Sequence, residues 1–259
     1  MAKIIGYVLD NGVLLGPKAF VMECPDPDEI MPAPIYTVLL KHPEGYVLFD
    51  AACHDNKERQ APFIFDALHL EEEERLLNRL AGIGVSPDEI RFLVLSHMHA
   101  DHTGFLDKFP NAEILVSDRE FTNSVKEYAL GTSRSCPDFE YWISLKLNWK
   151  LLPDDEKKIE LLDGITILNF GCGHSHGMMG LLVDFEKTGK VMIVSDAIYM
   201  REHLEPPRPV PLVVQDRDGY LGTLDYIDAL AKEENAAIWF GHDIGQNKEL
   251  IKSTDGFYE

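Results

Sequence analysis

The sequence predicts an α/β fold built from layers of helices and sheet. Apolar, strand-like runs alternate with helix-like segments along the 259 residues. Several of the apolar runs end in histidine or aspartate, which places reactive side chains at strand ends. Hydrophobic residues make up 45% of the chain, enough to fill a large core. We therefore expect one domain over residues 1–259 rather than two small ones.

The amino-terminal part is predicted to consist of strands. Residues 3–9 and 18–22 have strand character on either side of a turn at residues 10–12. Residues 35–49 predict a hairpin across a turn built on Pro and Gly. This hairpin ends at Asp50, a carboxylate that either caps a turn or orients a metal ligand from behind.

Helical segments follow and alternate with strands. Residues 71–80 place leucines on one face of a predicted helix, and residues 86–89 match a capping box with Pro at the first helical position. A short helix over 104–109, a strand over 113–116 and a helix over 118–128 capped by its first residue come next. This alternation favours a layered α/β fold over a parallel barrel.

The most informative stretch lies between the capping box at residues 86–89 and the short predicted helix over residues 104–109. Residues 92–95 predict a buried strand, and four possible metal ligands follow within six residues: His97, His99, Asp101 and His102. Side chains at i and i+2 of an extended chain point the same way, so the first two histidines can reach one ion. Imidazole and carboxylate ligands suit zinc, manganese, iron or cobalt rather than calcium. The alternative is a histidine-rich loop that holds no metal or binds it by accident.

Residues 129–153 interrupt the alternation and predict a helical insert rich in aromatic residues. The aromatic side chains can fill the contact between the insert and the core. Alternatively, Tyr141 and Trp142 form an apolar wall at the mouth of the active site and bind substrate.

The second half returns to strands, and three of them end in a residue that can reach a site. Residues 165–170 precede His174, residues 191–195 precede Asp196, and residues 238–241 precede His242. Residues 223–233, between Asp196 and the last of these strands, predict an amphipathic helix. The strand ends are expected to converge with the histidine-rich stretch on one edge of a sandwich.

Charge and composition indicate which classes of binding partner and which compartment to expect. The formal net charge is −20, and no basic patch with interleaved aromatic residues is present, so nucleic acid is not an expected partner. No stretch is long enough to span a bilayer, so a membrane is not expected either, and residues 1–7 lack the apolar core of a secretory signal. The four cysteines show no paired spacing, which favours a reducing cytoplasm.

The chemistry-bearing residues also carry a resemblance to a known family. The run from His97 to His102, followed by His174, Asp196 and His242, resembles the metallo-β-lactamase superfamily over nearly the whole chain. Within it, the sequence is most similar to the N-acyl-homoserine lactonases, through residues 49–50, 96–104, 173–175, 196–199, 240–243 and 256–258. The resemblance implies an αββα four-layer sandwich with a dinuclear metal centre. Two zinc ions are the usual occupants, with manganese, iron or cobalt as alternatives.

The resemblance also assigns roles to individual residues. One metal would be held by His97, His99 and His174, and the other by Asp101, His102 and His242. Asp196 would bridge the two ions together with a hydroxide. Asp50 would orient a metal-bound histidine.

Two residues would be catalytic. Tyr199 matches the family's tyrosine that donates to the substrate carbonyl, although a buried core tyrosine is the alternative. Asp101 would deliver the proton to the leaving group.

The activity implied is hydrolysis of the lactone ring of N-acyl-homoserine lactones, which is quorum quenching, by a metal-bridged hydroxide. The partner would be a small-molecule substrate, and the protein a monomer or a homodimer. Other hydrolases on the same scaffold, acting on a different ester, a thioester or a phosphodiester, would show the same ligands. A metal-binding module without catalysis is a further alternative, whereas a redox member would need a flavin domain.

Two departures from the family pattern bear on the substrate. The chain has Asp50-Ala51-Ala52 where these lactonases carry Asp-Thr-Gly. Met178 replaces the second histidine of their Pro-Gly-His-x-Pro-Gly-His run, and His176 lies between the two positions. His176 is either a substitute hydrogen-bond donor behind a metal ligand or a loop residue.

Overall fold

Two β-sheets packed face to face form the centre of the protein. The computed structural model describes residues 2–26, 28–54, 66–132 and 139–259. The strands of the first sheet are β1 Ile5–Pro17, β2 Ile30–His42, β3 Gly45–Phe49, β4 Leu68–His69, β5 Ile90–Val94, β6 Glu113–Ser117 and β7 Trp149–Leu152. The strands of the second are β8 Lys158–Leu162, β9 Ile165–Gly171, β10 Met178–Phe185, β11 Gly189–Ser195 and β12 Ala237–Phe240. The strand orders are β4-β1-β2-β3-β5-β6-β7 and β12-β11-β10-β9-β8.

Helices cover the outer face of each sheet. Those in the described part of the chain are α1 Leu76–Gly82, α2 Asp118–Leu130, α3 Phe139–Ser144, α4 Arg217–Glu234 and α5 Ile244–Glu249. Leu76 and Leu80 of α1 pack on the first sheet, and Leu224 and Ile227 of α4 pack on the second. None of the helices described is long and apolar enough to cross a membrane.

Burial on both faces of the central strands explains the layers. Along β2, Val38 and Leu40 point into the core between the sheets, whereas Leu39 points into the core beneath α1. This period of two, with apolar residues at every position, is typical of a strand covered on both sides. The order helix, sheet, sheet, helix confirms the predicted αββα sandwich.

Strand direction determines where the site forms. Strands β3, β5, β6 and β7 run parallel to one another. In the second sheet β11 and β12 are parallel, and β9 has the same direction because it is separated from β11 by one antiparallel neighbour. The carboxyl ends of β3 and β5 therefore share one edge, and those of β9, β11 and β12 share another.

Several element boundaries differ from the predictions. The predicted turn at residues 10–12 is a bulge inside β1, where Gly12 has a φ of +86° and the pairing register with β2 shifts. The chain therefore continues as one strand to Pro17, and residues 18–20 form a short 3₁₀ helix instead of a strand. Helix α2 is capped by the Ser117 side chain, which accepts a bond from the Glu120 N–H, rather than by Asp118.

The predicted helical insert is helical only in part. Residues 139–144 form α3, but residues 149–152 form β7, which pairs in parallel with β6 at the edge of the first sheet. Trp149 is compatible with a strand, since aromatic residues are enriched in strands, and pairing with β6 fixes that conformation here. Residues 133–138, including Cys136, lie outside the described part of the chain.

The last residues of the sequence lie against β1 and reach both sheets. Tyr258 exchanges two backbone hydrogen bonds of 2.8 Å with Gly6, and the Ser253 N–H donates to the Val8 carbonyl. The Glu259 carbonyl accepts bonds from the backbone N–H groups of Lys187 and Thr188, at the turn between β10 and β11.

Candidate metal centre

Five strand ends bring the predicted ligands together. The ends of β3 and β5 supply Asp50 and residues 97–102, and those of β9, β11 and β12 supply the remaining three ligands, His174, Asp196 and His242. A backbone hydrogen bond from Met179 N–H to the Ser96 carbonyl ties the two sheets next to the site. All seven predicted ligands are buried or nearly so.

The ligand atoms form two groups that share one carboxylate. His97, His99, His174 and Asp196 make the first group, and Asp101, His102, Asp196 and His242 make the second. Within each group the ligand atoms lie within 4.8 Å of one another. The membership of Asp196 in both groups matches the bridging position expected for it.

The first group is a meeting point of imidazole nitrogens. His174 Nε2 lies 3.1 Å from His97 Nε2 and 2.9 Å from His99 Nδ1. Burial lowers the pKa of His99 to about 4 and that of His174 to about 3, and it holds the pKa of His97 well below its usual range. The three rings are therefore neutral at physiological pH, the protonation state that binds metal.

Hydrogen bonds on the outer side of three rings determine which nitrogen faces inward. The Nδ1 atoms of His174 and His242 lie 2.9 Å from the carbonyl oxygens of Val213 and Pro34, and must carry the proton to bond them. His102 Nδ1 lies 2.8 Å from Asp50 Oδ2. When Nε2 carries no proton, each of these rings thus turns the lone pair of that nitrogen toward the site.

The inward-facing atoms fit a cation. His242 Nε2 lies 3.1 Å from Asp196 Oδ1, yet Asp196 Oδ1 has no hydrogen bond, and neither has His102 Nε2. Although burial alone would lower the pKa values of His102 and His242, the carboxylates around them raise both. The same negative potential that favours a proton at these nitrogens favours a metal ion. The donor set suits two transition-metal ions, with Asp196 between them.

Asp50 occupies the position predicted for an orienting carboxylate. It accepts bonds from the Ser96 N–H at 2.7 Å and the Ser96 hydroxyl at 2.9 Å, in addition to its contact with His102. The Ser195 hydroxyl lies 3.3 Å from the same carboxylate. Asp50, which follows β3, is thus bonded to residues at the ends of β5 and β11 and is not a simple turn cap.

Tyr199 lies beside the first group. Its side chain is 4% exposed, and its hydroxyl oxygen is 3.0 Å from His174 Nδ1. Since that nitrogen carries a proton, the tyrosine oxygen can accept and its own hydrogen remains available to donate. Burial, together with Asp196 and Asp101, holds the pKa of Tyr199 well above its usual value, so the group is a neutral phenol.

The two aromatic residues predicted to contact substrate occupy different environments. Trp142 is fully buried in the core under the first sheet and contacts Tyr141 edge-on. The prediction that its indole lines the substrate pocket does not fit this position, because apolar packing against the sheet has enclosed it. Tyr141 is half-buried and donates to Asp107 at 3.3 Å, and its contact with substrate stays a prediction.

Sequence reasoning missed several groups around the site. The carbonyl oxygens of Val213 and Pro34 have no signature in the sequence, since any residue could supply them. Glu120 was missed for another reason: Ser117 and Glu120 have the spacing of a capping box, which assigns the glutamate to its own helix end. Its carboxylate instead contacts the two segments that carry the histidines of the first group.

His176, whose role the sequence left open, bonds to helix α2. Its Nε2 lies 2.8 Å from Glu127 Oε1, and both side chains are partly exposed. It therefore fastens the loop after β9 to this helix.

The chain is similar to known proteins over almost its whole length. The family model described as the metallo-beta-lactamase superfamily matches residues 30–242. The N-acyl homoserine lactonase AiiB of Agrobacterium fabrum is 36% identical over 262 residues, covering 98% of this chain and 94% of that protein. An N-acyl homoserine lactonase of Bacillus thuringiensis is 29% identical, covering 93% and 94%. A solved N-acyl homoserine lactone hydrolase, with the product N-hexanoyl-L-homoserine at its catalytic metal center, has a TM-score of 0.85 at 26% identity and full coverage of both chains.

Proposed function

Because the chain belongs to the metallo-beta-lactamase superfamily, we propose that it is a metal-dependent hydrolase that opens the lactone ring of N-acyl-homoserine lactones. The observation that carries the proposal is a buried tyrosine hydroxyl beside seven converging metal-ligand side chains. Relatives named for this activity match the chain over almost its whole length. The biological consequence of such hydrolysis is quorum quenching.

The ligand roles follow from the two groups of atoms. We propose that His97, His99 and His174 hold one ion and that Asp101, His102 and His242 hold the other. Asp196 would contact both, because it alone belongs to both groups. When bound, the two ions would polarise the substrate carbonyl and make an activated water available near neutral pH.

The protein's own residues would then handle charge and protons. Tyr199 would donate its hydroxyl hydrogen to the carbonyl oxygen as negative charge develops there. The water oxygen forms a bond to the carbonyl carbon, and the bond from that carbon to the ring oxygen breaks. Asp101, whose Oδ2 lies 3.5 Å from His102 Nε2, would pass the water's proton to the ring oxygen as it leaves.

The proposal extends to the identity of the metal, the cellular compartment and the binding partners. Zinc is proposed as the native metal, because imidazole-rich sites with shared carboxylates suit it, although manganese, iron or cobalt would fit the same donors. Three described cysteines, Cys24, Cys53 and Cys172, are free thiols, which supports a reducing compartment such as the cytoplasm. The protein would act on a small molecule, without nucleic acid or membrane, as a monomer or a homodimer.

A substrate panel tests the proposal. Metal-loaded protein and chelator-treated protein would be compared on N-acyl-homoserine lactones, a thioester, a phosphodiester and a β-lactam. We expect metal-dependent formation of the N-acyl-homoserine, with the highest kcat/KM among the panel. Faster turnover of the thioester or the phosphodiester than of any lactone would reject the lactonase assignment and leave only the family.

A further inference from the structure

A buried glutamate connects the two segments that carry the first group of histidines. Glu120 is the third residue of α2 and is 1% exposed. Its Oε1 accepts bonds from the Met98 N–H at 2.9 Å and the Ser175 hydroxyl at 2.7 Å. Its Oε2 accepts from the Gly177 N–H at 2.9 Å and lies 2.8 Å from the same hydroxyl.

The three donors are neighbours of the proposed ligands. Met98 lies between His97 and His99 in the chain, and Ser175 directly follows His174. The carboxylate thus bonds to one segment from the first sheet and one from the second. The distances of 2.9–3.1 Å between His174 Nε2 and the other two imidazoles depend on how these segments are held relative to each other.

The loop after β9 is packed directly on α2 around this carboxylate. A Cβ atom at Gly177 would lie 2.1 Å from Ser117 Oγ and 2.9 Å from the Glu120 nitrogen, so the loop cannot approach this closely with any larger residue. Further along the same helix, Glu127 bonds the loop residue His176. Helix α2 therefore holds the loop at two points, one buried and one partly exposed.

The charge of Glu120 has no balancing side chain among the described residues. No lysine, arginine or histidine of the described chain lies within ion-pair distance of its carboxylate. The helix amino terminus stabilises a negative charge only in part. A buried carboxylate without a cationic partner is costly, so a cation bound by the adjacent histidines would contribute the missing attraction.

We propose that Glu120 is a positioning residue for the metal site of His97, His99 and His174. It sets the distance between the two ligand segments and adds negative charge behind them. The proposal rests on the metal assignment made for the proposed function. It assigns no contact of Glu120 with the substrate and none with the second group of ligands.

The substitution Glu120→Gln tests the proposal because the amide has no orientation that satisfies its surroundings. Each carboxylate oxygen faces a backbone N–H, so the NH₂ group must oppose either Met98 or Gly177 whichever way it turns. The matched control is Glu127→Gln. It removes a carboxylate from the same helix that also contacts the same loop, but the charge lost there faces only the His176 side chain, which the amide oxygen can still bond.

Each metal site must be measured separately. A His242→Ala background weakens the second group, and a His99→Ala background weakens the first. Zinc affinity would be measured in both backgrounds by competition with a chromophoric chelator. We expect Glu120→Gln to weaken zinc binding about 10–100-fold in the His242→Ala background and to leave it unchanged in the His99→Ala background. The Glu127→Gln control should leave both affinities unchanged.

Other outcomes would overturn the proposal. Unchanged affinity in the His242→Ala background would show that Glu120 does not act on the first site. Equal weakening in both backgrounds would assign Glu120 a general structural role. Should Glu120→Gln fail to fold, Ser175→Ala removes one donor and should show the same selectivity with a smaller loss. A wild-type protein that binds no zinc would instead contradict the proposed function itself.

Discussion

Replacing Tyr199 with phenylalanine separates chemistry from structure at this site. The change removes only the hydroxyl, which lies 3.0 Å from His174 Nδ1. The ring contacts remain, with ring centroids 5.2 Å from His242 and 5.1 Å from His174. His174 also keeps its bond to the Val213 carbonyl, so its inward nitrogen should be unaffected. We expect metal content to stay at the wild-type level and stability to fall by about 1 kcal/mol at most.

The expected effect on the rate follows from the charge that the hydroxyl would meet. Removal of one donor to a developing oxyanion costs about 10²–10³ in rate when no other group shares the charge. Bound metal would share this charge and take most of the load, so the loss should be roughly 10-fold, or about 1.4 kcal/mol in the barrier. The loss should appear in kcat rather than in KM, because the bond strengthens in the transition state.

The assay is steady-state hydrolysis of an N-acyl-homoserine lactone, with metal content determined on the same samples. Tyr258→Phe is the control, since it likewise removes only a hydroxyl, one that accepts a bond from the Ile251 N–H. Its kcat should stay close to wild type, because neither Tyr258 nor Ile251 is among the ligands. A wild-type kcat for Tyr199→Phe on lactones would remove this hydroxyl from the mechanism.

Three further predictions concern the metals and the scaffold. Elemental analysis of protein purified without chelator should give about two transition-metal ions per chain, and a value near zero after supplementation would exclude a dinuclear centre. Asp196→Asn should lose or misplace one ion and reduce activity by about two orders of magnitude or more, whereas full metal content with a wild-type rate would remove Asp196 from the site. Bonds from Lys158 and Lys190, each 2.7 Å long, lower the pKa of Glu234 to about 2, so Glu234→Gln should reduce the free energy of unfolding by roughly 0.5–1 kcal/mol at neutral pH. Because the pKa is depressed in the folded state, this difference should be constant above about pH 5 and disappear as the pH falls toward 2, as denaturant titrations would reveal.

The metal ligands could be predicted from the sequence because each lies shortly after an apolar, strand-like run. Residues 97–102 carry four ligands directly after an apolar strand, and the other ligands each follow another such strand. A strand end is recognisable because burial dictates apolar residues before it and allows polar ones after it. The convergence of His174, Asp196 and His242 with that stretch follows from this rule, and the structure confirms their proximity.

The fold was less predictable where backbone pairing decides the conformation. Gly12 predicts a turn by its conformational freedom, but the chain uses that freedom for a bulge and continues as a strand. Trp149 belongs to the segment predicted as a helical insert, yet it pairs with Ile114 at the sheet edge. Trp142 faces the core rather than the pocket, and helical periodicity alone cannot distinguish these two apolar environments.

The path of the last residues has a consequence for association between molecules. Strand β1 pairs with β2 on one side, and on the other side, within the described residues, β4 pairs with the stretch at Val13 and Leu14. The segment from Lys252 to Tyr258 covers the stretch at Gly6 and Val8. An uncovered strand edge presents amide and carbonyl groups that can pair with the same edge of another molecule. These few terminal residues therefore protect the protein against edge-to-edge strand addition, and we expect that shortening the chain here would favour aggregation.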